Sequence, residues 1–527
     1  MTGYKLTEDD KNYLTCLLNE LGNITAVARR FCSERSLEYN DSSRRRVSGL
    51  LSREGVTKNL EEISEEEKTT EKDYALAKQR KLNKSQYYII TWEQNRSQIH
   101  ENLWNNILAY KEFLGAELSV ILGRYKNPTS VFTDRKYDTW SEETQPYWDA
   151  SRHDIHNYVT ILGDVKIQPT AANPLTGLES ITGETTTIVG HPKMWLKTVP
   201  VLEGHPKKIL VSTGAITLPN YTDSKAGKRG EFHHKLGFAI IEIKNDEVFF
   251  VRQVEADKDG NFIDLYYEVK DGQIYDTDYV DAIVFGDLHA PNFNHDNIAI
   301  LDEITERLNP KYLVLHDLID GESVNNHLAK NPVEQYHRMV RGQDNVEEEV
   351  ESALQFLRDR PDQIKIVVQS NHNDRLDRWL NTNRWDRDLK NALPYLKYLT
   401  ATLEGKAEKG ILAYLIEEEF SENEVVSLDY DDSYMINGYE VAHHGHIGAN
   451  GSRGNIEQFR KMSTKMIIGH SHSPFVADSV VQVGTLTNLR EGYNKGASSW
   501  LPASCLIHKN GIAQLIIVID NDYTTLK

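Results

Sequence analysis

The sequence predicts an α/β fold whose C-terminal half is built on strands buried on both faces, and three observations predict it. Five short apolar runs between residues 280 and 527 (AIVF, YLVL, IKIVV, YEVA and KMII) are continuous, as in strands covered on both sides. Stretches of helical periodicity lie between them, the order expected of helices layered on a sheet. Each run also ends in Asp, Asn or His, the residue types that gather beyond the carboxyl ends of strands in such sheets. The composition agrees, with 39% hydrophobic and 26% charged residues among 527. A mean hydropathy of -0.55 and the lack of a long apolar run exclude a membrane span.

Residues 1–60 read as a small helical unit resembling a helix-turn-helix. Thr7 caps a first helix with acidic residues in its opening turn, Gly22 and Asn23 break it, and ITAVARRFCSERSL and the Arg-rich SSRRRVSGLLSREG follow. This segment holds ten Lys/Arg against eight Asp/Glu, whereas the chain carries a net charge of -19. Bulk electrostatics therefore repel a polyanion, and any nucleic acid must be met by local basic patches or metal ions. Arg44, Arg45 and Arg46 are the candidate phosphate contacts of this unit; a solvated helix face or a protein-docking module is the alternative.

Residues 61–84, opening with EEISEEEKTTEKD, read as a charged linker. Residues 85–279 read as a mixed α/β accessory domain, with strands in QYYIITWEQ, AELSVILGRY, KILVSTGAI, FAIIEI and EVFFVRQV and a helix in IHENLWNNILAYKEFL. Its loop DSKAGKRGEFHHK is basic, and a solvated loop is the plainer reading. The three cysteines, Cys16, Cys32 and Cys505, cannot make a disulfide framework and are expected to be buried packing residues. The opening residues are acidic where a secretion signal needs basic ones, so a cytoplasmic address is expected.

Residues 280–527 carry the chemistry. The strand-end sets are Asp287 and His289; Asp317 and Asp320; Asn371 and His372; His443, His444 and His446; and His470 and His472. Together they follow the order D-x-H, D-x-x-D, N-H, H, G-H-x-H. In this the chain resembles the calcineurin-like metallophosphoesterase family, over nearly half its length. The resemblance implies an α/β/β/α sandwich and two divalent metal ions. Carried over from the family, Asp287, His289 and His472 would hold one ion, Asn371, His444 and His470 the other, and Asp317 would bridge them. His372 would face the leaving group and Asp320 orient a ligand. His444 is taken over His443 because it precedes Gly445. The chain departs from the family pattern at His316 and Ser370, where glycines are usual, and at Asn373, where an acid is usual and Asp374 comes one place late. Mixed carboxylate, imidazole and amide donors suit manganese first, with iron, zinc or magnesium as alternatives.

The substrate has to be read from the surroundings. The segment NDRLDRWLNTNRWDRDLKNALPYLKYL interleaves Arg375, Arg378, Arg384 and Arg387 with Trp379 and Trp385, which suits phosphate contact and base stacking. An amphipathic core helix with Asp–Arg pairs fits the same residues. Arg453 in a Gly-rich loop and His327, His337, Arg338 and Arg341 are further candidate contacts. With the helical N-terminal unit, these features are similar to the phage-encoded branch of the family, the early host-DNA-degrading DNases of T5-like phages. The expected function is then DNA hydrolysis by a metal-activated hydroxide in the host cytoplasm, with the accessory domains presenting DNA or assembling copies of the enzyme. A phosphatase or phosphodiesterase for small phosphoesters, and a DNA-binding or assembly protein with a degenerate metal site, are the alternatives.

Overall fold

Side-chain alternation along the buried strands decides where the core sits. Ile283, Phe285, Leu313, Leu315 and Val367 point to one face of a sheet, while Ala282, Val284, Val314, Ile366 and Val368 point to the other, and each set joins a different apolar cluster. The first cluster lies under helices His295–Leu308, Val346–Arg358, Arg375–Thr382 and Ile411–Glu419. The second lies between this sheet and others. Strands buried on both faces are what the continuous runs predict.

The structure is a computed structural model that describes residues 7–21, 24–37, 39–53, 72–125, 140–325, 331–382, 384–490 and 494–526. Gly22 and Asn23, residues 61–71 of the charged stretch and His327 lie outside the described residues. The chain forms two units, residues 1–75 and 76–527.

In the first unit, helices Glu8–Leu21, Ile24–Glu34 and Asp41–Arg53 enclose a core that includes Leu14, Leu17, Val27, Phe31, Val47 and Leu51. Thr7 and Asp10 cap the first helix reciprocally: the Thr7 amide donates to the Asp10 carboxylate and the Asp10 amide to Thr7 Oγ1. Asn40 and Ser43 do the same for the third helix. Cys32 and Cys505 are buried, but Cys16 is exposed, because its position falls off the stripe formed by Leu14, Leu17 and Leu18.

The second unit has an α/β fold with several mixed sheets. In the six-stranded sheet the order is Val425–Ser427, Ile364–Val367, Tyr312–Leu315, Ala282–Val284, Ala503–Ile507, Ala513–Ile517, with the first four parallel. A ten-stranded sheet contains Tyr439–Glu440 and Met466–Ile468. Its strand Phe475–Ala477 pairs antiparallel with Leu196–Val199, so the sheet continues through residues 152–212. Residues 85–279 and 280–527 therefore share one sheet and one unit. A third, five-stranded sheet carries Tyr87–Gln94, Glu117–Gly123 and helix Glu101–Leu114 on the predicted segments, and contributes Tyr88, Ile90 and Ile241 to the core between the sheets.

Candidate metal centre

The five ligand-bearing turns come from two sheets, three from the six-stranded and two from the ten-stranded one, and they meet at one end of the shared core. Four of these residues sit in left-handed backbone: His289 (φ 56°), Asp317 (φ 44°), His470 (φ 77°) and His472 (φ 59°). Non-glycine residues seldom adopt it, and such strain concentrates at functional sites. The turns are pinned to each other, since the His289 amide donates to the Asp317 carbonyl at 2.7 Å and the His470 amide to Asp287 Oδ2 at 2.8 Å. Gly469 is required here, because a Cβ would lie 2.3 Å from Asp287 Oδ1.

Asp287, His289, Asp317 and His472, all buried, bring one ligand atom each within 4.8 Å of one another. His472 Nε2 lies 3.1 Å from both Asp287 Oδ2 and His289 Nε2, and His289 Nε2 lies 3.4 Å from Asp317 Oδ2. On the other side of Asp317, His444 Nε2 approaches Oδ2 at 3.2 Å, and the His444 and His470 rings are 5.3 Å apart. Asp317 thus stands between the two groups. His444 is buried and faces it, while His443, its neighbour in the turn beyond strand Tyr439–Glu440, is partly exposed.

The donor set fits a metal. Asp287 Oδ1, both Asp317 oxygens, Asn371 Oδ1, His444 Nε2 and His472 Nδ1 are buried and make no hydrogen bond among the described residues. Such orphaned polar atoms are costly unless something pairs with them. Burial lowers His444 and His472 to about 3, so both are neutral with lone pairs available. Burial, then the Asp317 carboxylate, pushes Asp287 well above the usual carboxyl range. Burial also opposes charge on Asp317, but the surrounding imidazoles, of which His289 is the one that carries charge, outweigh it and hold Asp317 well below that range. For His289, burial is outweighed by Asp317 and Asp320, which raise it to about 9, so metal binding must displace a proton there.

Asp320 ties the candidate ligand His289 to His372. Its Oδ1 lies 3.2 Å from His289 Nδ1 and 3.2 Å from His372 Nδ1, and its carbonyl accepts from His372 Nδ1 at 2.7 Å. Asp374 turns to Arg378 instead, at 2.7 Å. The departures from the family pattern are accommodated. His316 is buried with Nδ1 3.4 Å from His444 Nδ1, Ser370 Oγ accepts from the Asn373 amide to close the turn, and Asn373 bonds Ile319 N and Val368 O.

Asp317, Asn371, His372, His470 and His472 line a cleft of about 1280 Å³. Arg341, Arg375, Arg453, Lys495 and His337 line it too, with Glu322 and Glu334. Arg375 donates to the Asp320 carbonyl at 2.7 Å and lies 3.3 Å from His372 Nε2. Arg338 is buried and bonds the Glu322 carbonyl, so it is no substrate contact. Arg44, Arg45 and Arg46 are exposed on the third helix of the N-terminal unit. Three contributors had no sequence signal: Asn292, which donates to Asp320 Oδ2 at 2.5 Å; Glu349, whose carboxylate anchors the Glu322 and Ser323 amides; and Trp500, 4.2 Å from the His472 ring.

The Arg/Trp segment divides. Trp379 is 1% exposed and packs with Leu376 and Leu380 in the helix-side core, so it is not a stacking platform, while Trp385 is 46% exposed. Arg378 and Arg384 pair with Asp374 and Asp386. Trp379→Ala is expected to destabilise the fold by about 3–5 kcal/mol. Trp385→Ala should stay within about 0.5 kcal/mol, as surface changes do. Urea denaturation of both variants checks this, and equal stabilities would contradict the assignment.

No helix among the described residues is long and apolar enough to cross a membrane. No family model matches the chain, and no solved structure matches it. Protein A1 of Escherichia phage T5 is 31% identical over 462 residues, covering 81% of this chain and 81% of that protein, which supports a bacteriophage origin. With a buried Asp/His cluster able to bind metal at its centre, the chain belongs to the family of phage T5 Protein A1.

Proposed function

We propose that the chain is a metal-dependent phosphodiester hydrolase of the calcineurin-like metallophosphoesterase type, acting on DNA in the host cytoplasm. The observation that carries this reading is the convergence of all five strand-end sets around Asp317, at a cleft whose lining bears Arg341, Arg375, Arg453 and Lys495. Asp287, His289, Asp317 and His472 would hold one divalent ion and Asn371, His444 and His470, with Asp317, a second, with manganese our choice. Ions held there would supply Lewis acidity at phosphorus and acidify a water so that it reacts near neutral pH.

The chain's own groups do the rest. His372 donates Nδ1–H to the Asp320 carbonyl, so that its protonated form would present Nε2–H to a phosphate or its departing oxygen. Arg375 stands beside that nitrogen, where a guanidinium can take up charge building on phosphate oxygens. Local cations against a net charge of -19 favour a substrate bound at the cleft over one gathered by the whole surface. Arg44, Arg45 and Arg46 offer a second phosphate contact on the N-terminal unit.

The test is hydrolysis of supercoiled plasmid with manganese, magnesium, zinc or chelator, beside Asp287→Ala. Cleavage that requires a metal and disappears in the variant is the expected result. Plasmid left intact under every metal, with a small chromogenic phosphodiester hydrolysed, would transfer the reading to small phosphoesters.

A further inference from the structure

We infer that Lys193, Arg229 and His233, with the exposed ring of Phe232, bind a backbone phosphate and a neighbouring base of the substrate strand outside the metal cleft. The inference rests on the nucleic-acid reading above. It gives a role to the basic loop DSKAGKRGEFHHK, which the catalytic reading leaves unused.

Lys193 carries the inference. It is 1% exposed, and its ammonium makes no hydrogen bond or ion pair among the described residues. A buried cation without a partner is costly. Burial pushes Lys193 down to about 8; Asp478 opposes that shift, and Arg229 and Arg460 add to it. Asp478 is already engaged: Arg460 Nε donates to its Oδ2 at 2.9 Å, Trp195 Nε1 donates to its Oδ1 at 3.2 Å, and His233 Nδ1 lies 3.5 Å from that oxygen. The acids of the loop are taken as well, since Asp223 and Glu231 both hold Lys228. Asp478 thus answers the charges of Lys193, Arg229 and Arg460 together, and the set lacks an anion.

The local geometry suits a phosphate followed by a base. Arg229 and His233 lie one turn apart on helix Lys225–Phe232 and its C-cap, with the His233 amide donating to the Arg229 carbonyl at 3.2 Å, so both fall on one face. Burial holds His233 below its ordinary value, which makes it a neutral hydrogen-bonding group beside the two free cations. Phe232 is 76% exposed, and its ring lies 5.0 Å from that of His233. Cations beside an open aromatic ring are the combination that tracks a single strand, because every base has a face to stack.

The cluster is also tied to the cleft wall. Asp478 directly follows strand Phe475–Ala477, whose Phe475 lines the cleft, and Arg460 ends helix Ile456–Arg460, whose Ile456 and Phe459 line it too. Three residues of strand span about 10 Å, which a nucleic acid strand covers in about three nucleotides. A strand held at the metals would therefore reach Lys193 a few nucleotides away.

Fluorescence anisotropy of a labelled single strand of about 20 nucleotides, longer than a typical single-strand site, tests the inference in chelator, where nothing is cleaved. Lys193→Met and Arg229→Ala are each expected to weaken binding at least about tenfold and to flatten the dependence of log affinity on log salt by about 0.7. Phe232→Ala should weaken it at least about fivefold and leave that slope alone. The manganese-induced rise in melting temperature should match wild type in all three, which separates a lost subsite from a disturbed metal centre. Arg229 is exposed, so its variant carries the test should Lys193→Met misfold. Wild-type affinity in both Lys193→Met and Arg229→Ala overturns the subsite and leaves the DNA reading standing. A wild type that binds no oligonucleotide overturns both. Inorganic phosphate that stabilises wild type but not Lys193→Met, with oligonucleotide affinities equal, would assign the cluster to a free anion and overturn the inference as well.

Discussion

Asp317→Asn is expected to abolish hydrolysis, lowering turnover by roughly 10³-fold or more, the upper end of what losing one preorganised charged group costs. Asp317 is the residue that both proposed ligand groups would share: its Oδ2 lies 3.4 Å from His289 and 3.2 Å from His444. Its two oxygens are buried without hydrogen bonds among the described residues, and the surrounding imidazoles, the charged His289 among them, outweigh burial to keep it ionised. Asparagine keeps the shape and removes the charge, so one of its two atoms offers a donor where a metal needs a lone pair. The metal readout separates this from simple unfolding. A metal held at a hundred times its Kd stabilises the native chain by about 2.7 kcal/mol, and that gain, read as a rise in melting temperature on adding manganese, should vanish in the variant. Unchanged turnover, or an undiminished gain, would remove Asp317 from the centre of the site.

The sites that were legible were those whose chemistry is local in sequence. D-x-H puts Asp287 and His289 on one turn, G-H-x-H puts His470 and His472 on another, and the apolar runs before them announce the strands that carry them. Asp320 was legible as a candidate because it lies three residues beyond Asp317, although its contacts with both His289 and His372 depend on the folding of distant turns. Asn292, Glu349 and Trp500 reach the site from loops and a helix with no fixed spacing to any ligand. Strand pairing between Leu196–Val199 and Phe475–Ala477 likewise leaves no periodicity in either segment, so the change of pattern near residue 280 marks no break in the sheet. Trp379 is a different case. Leu376, Trp379 and Leu380 follow helical spacing and are buried, so the pattern of a core helix was present beneath the more conspicuous arginines.

His372→Ala and Asp320→Ala are expected to fail in distinguishable ways, and together they test whether His372 acts on the substrate. His372 offers Nε2 toward the cleft beside Arg375, while its Nδ1 is held by Asp320. Losing a group that gives or stabilises a proton in the transition state typically lowers turnover about 10²- to 10⁴-fold. His372→Ala should show a loss of that size while leaving the metal-induced stabilisation intact. The loss should also shrink for a substrate whose leaving group needs no proton, such as a nitrophenyl ester. Asp320 touches the candidate ligand His289 as well as His372, and groups that orient a ligand affect metal affinity by about 10- to 100-fold. Asp320→Ala should therefore raise the manganese concentration needed for half-maximal stabilisation as well as lower turnover at saturating metal. Equal losses for nitrophenyl and alkyl leaving groups in His372→Ala would assign this histidine to holding Asp320 in place, and the proton would then have to come from elsewhere in the cleft.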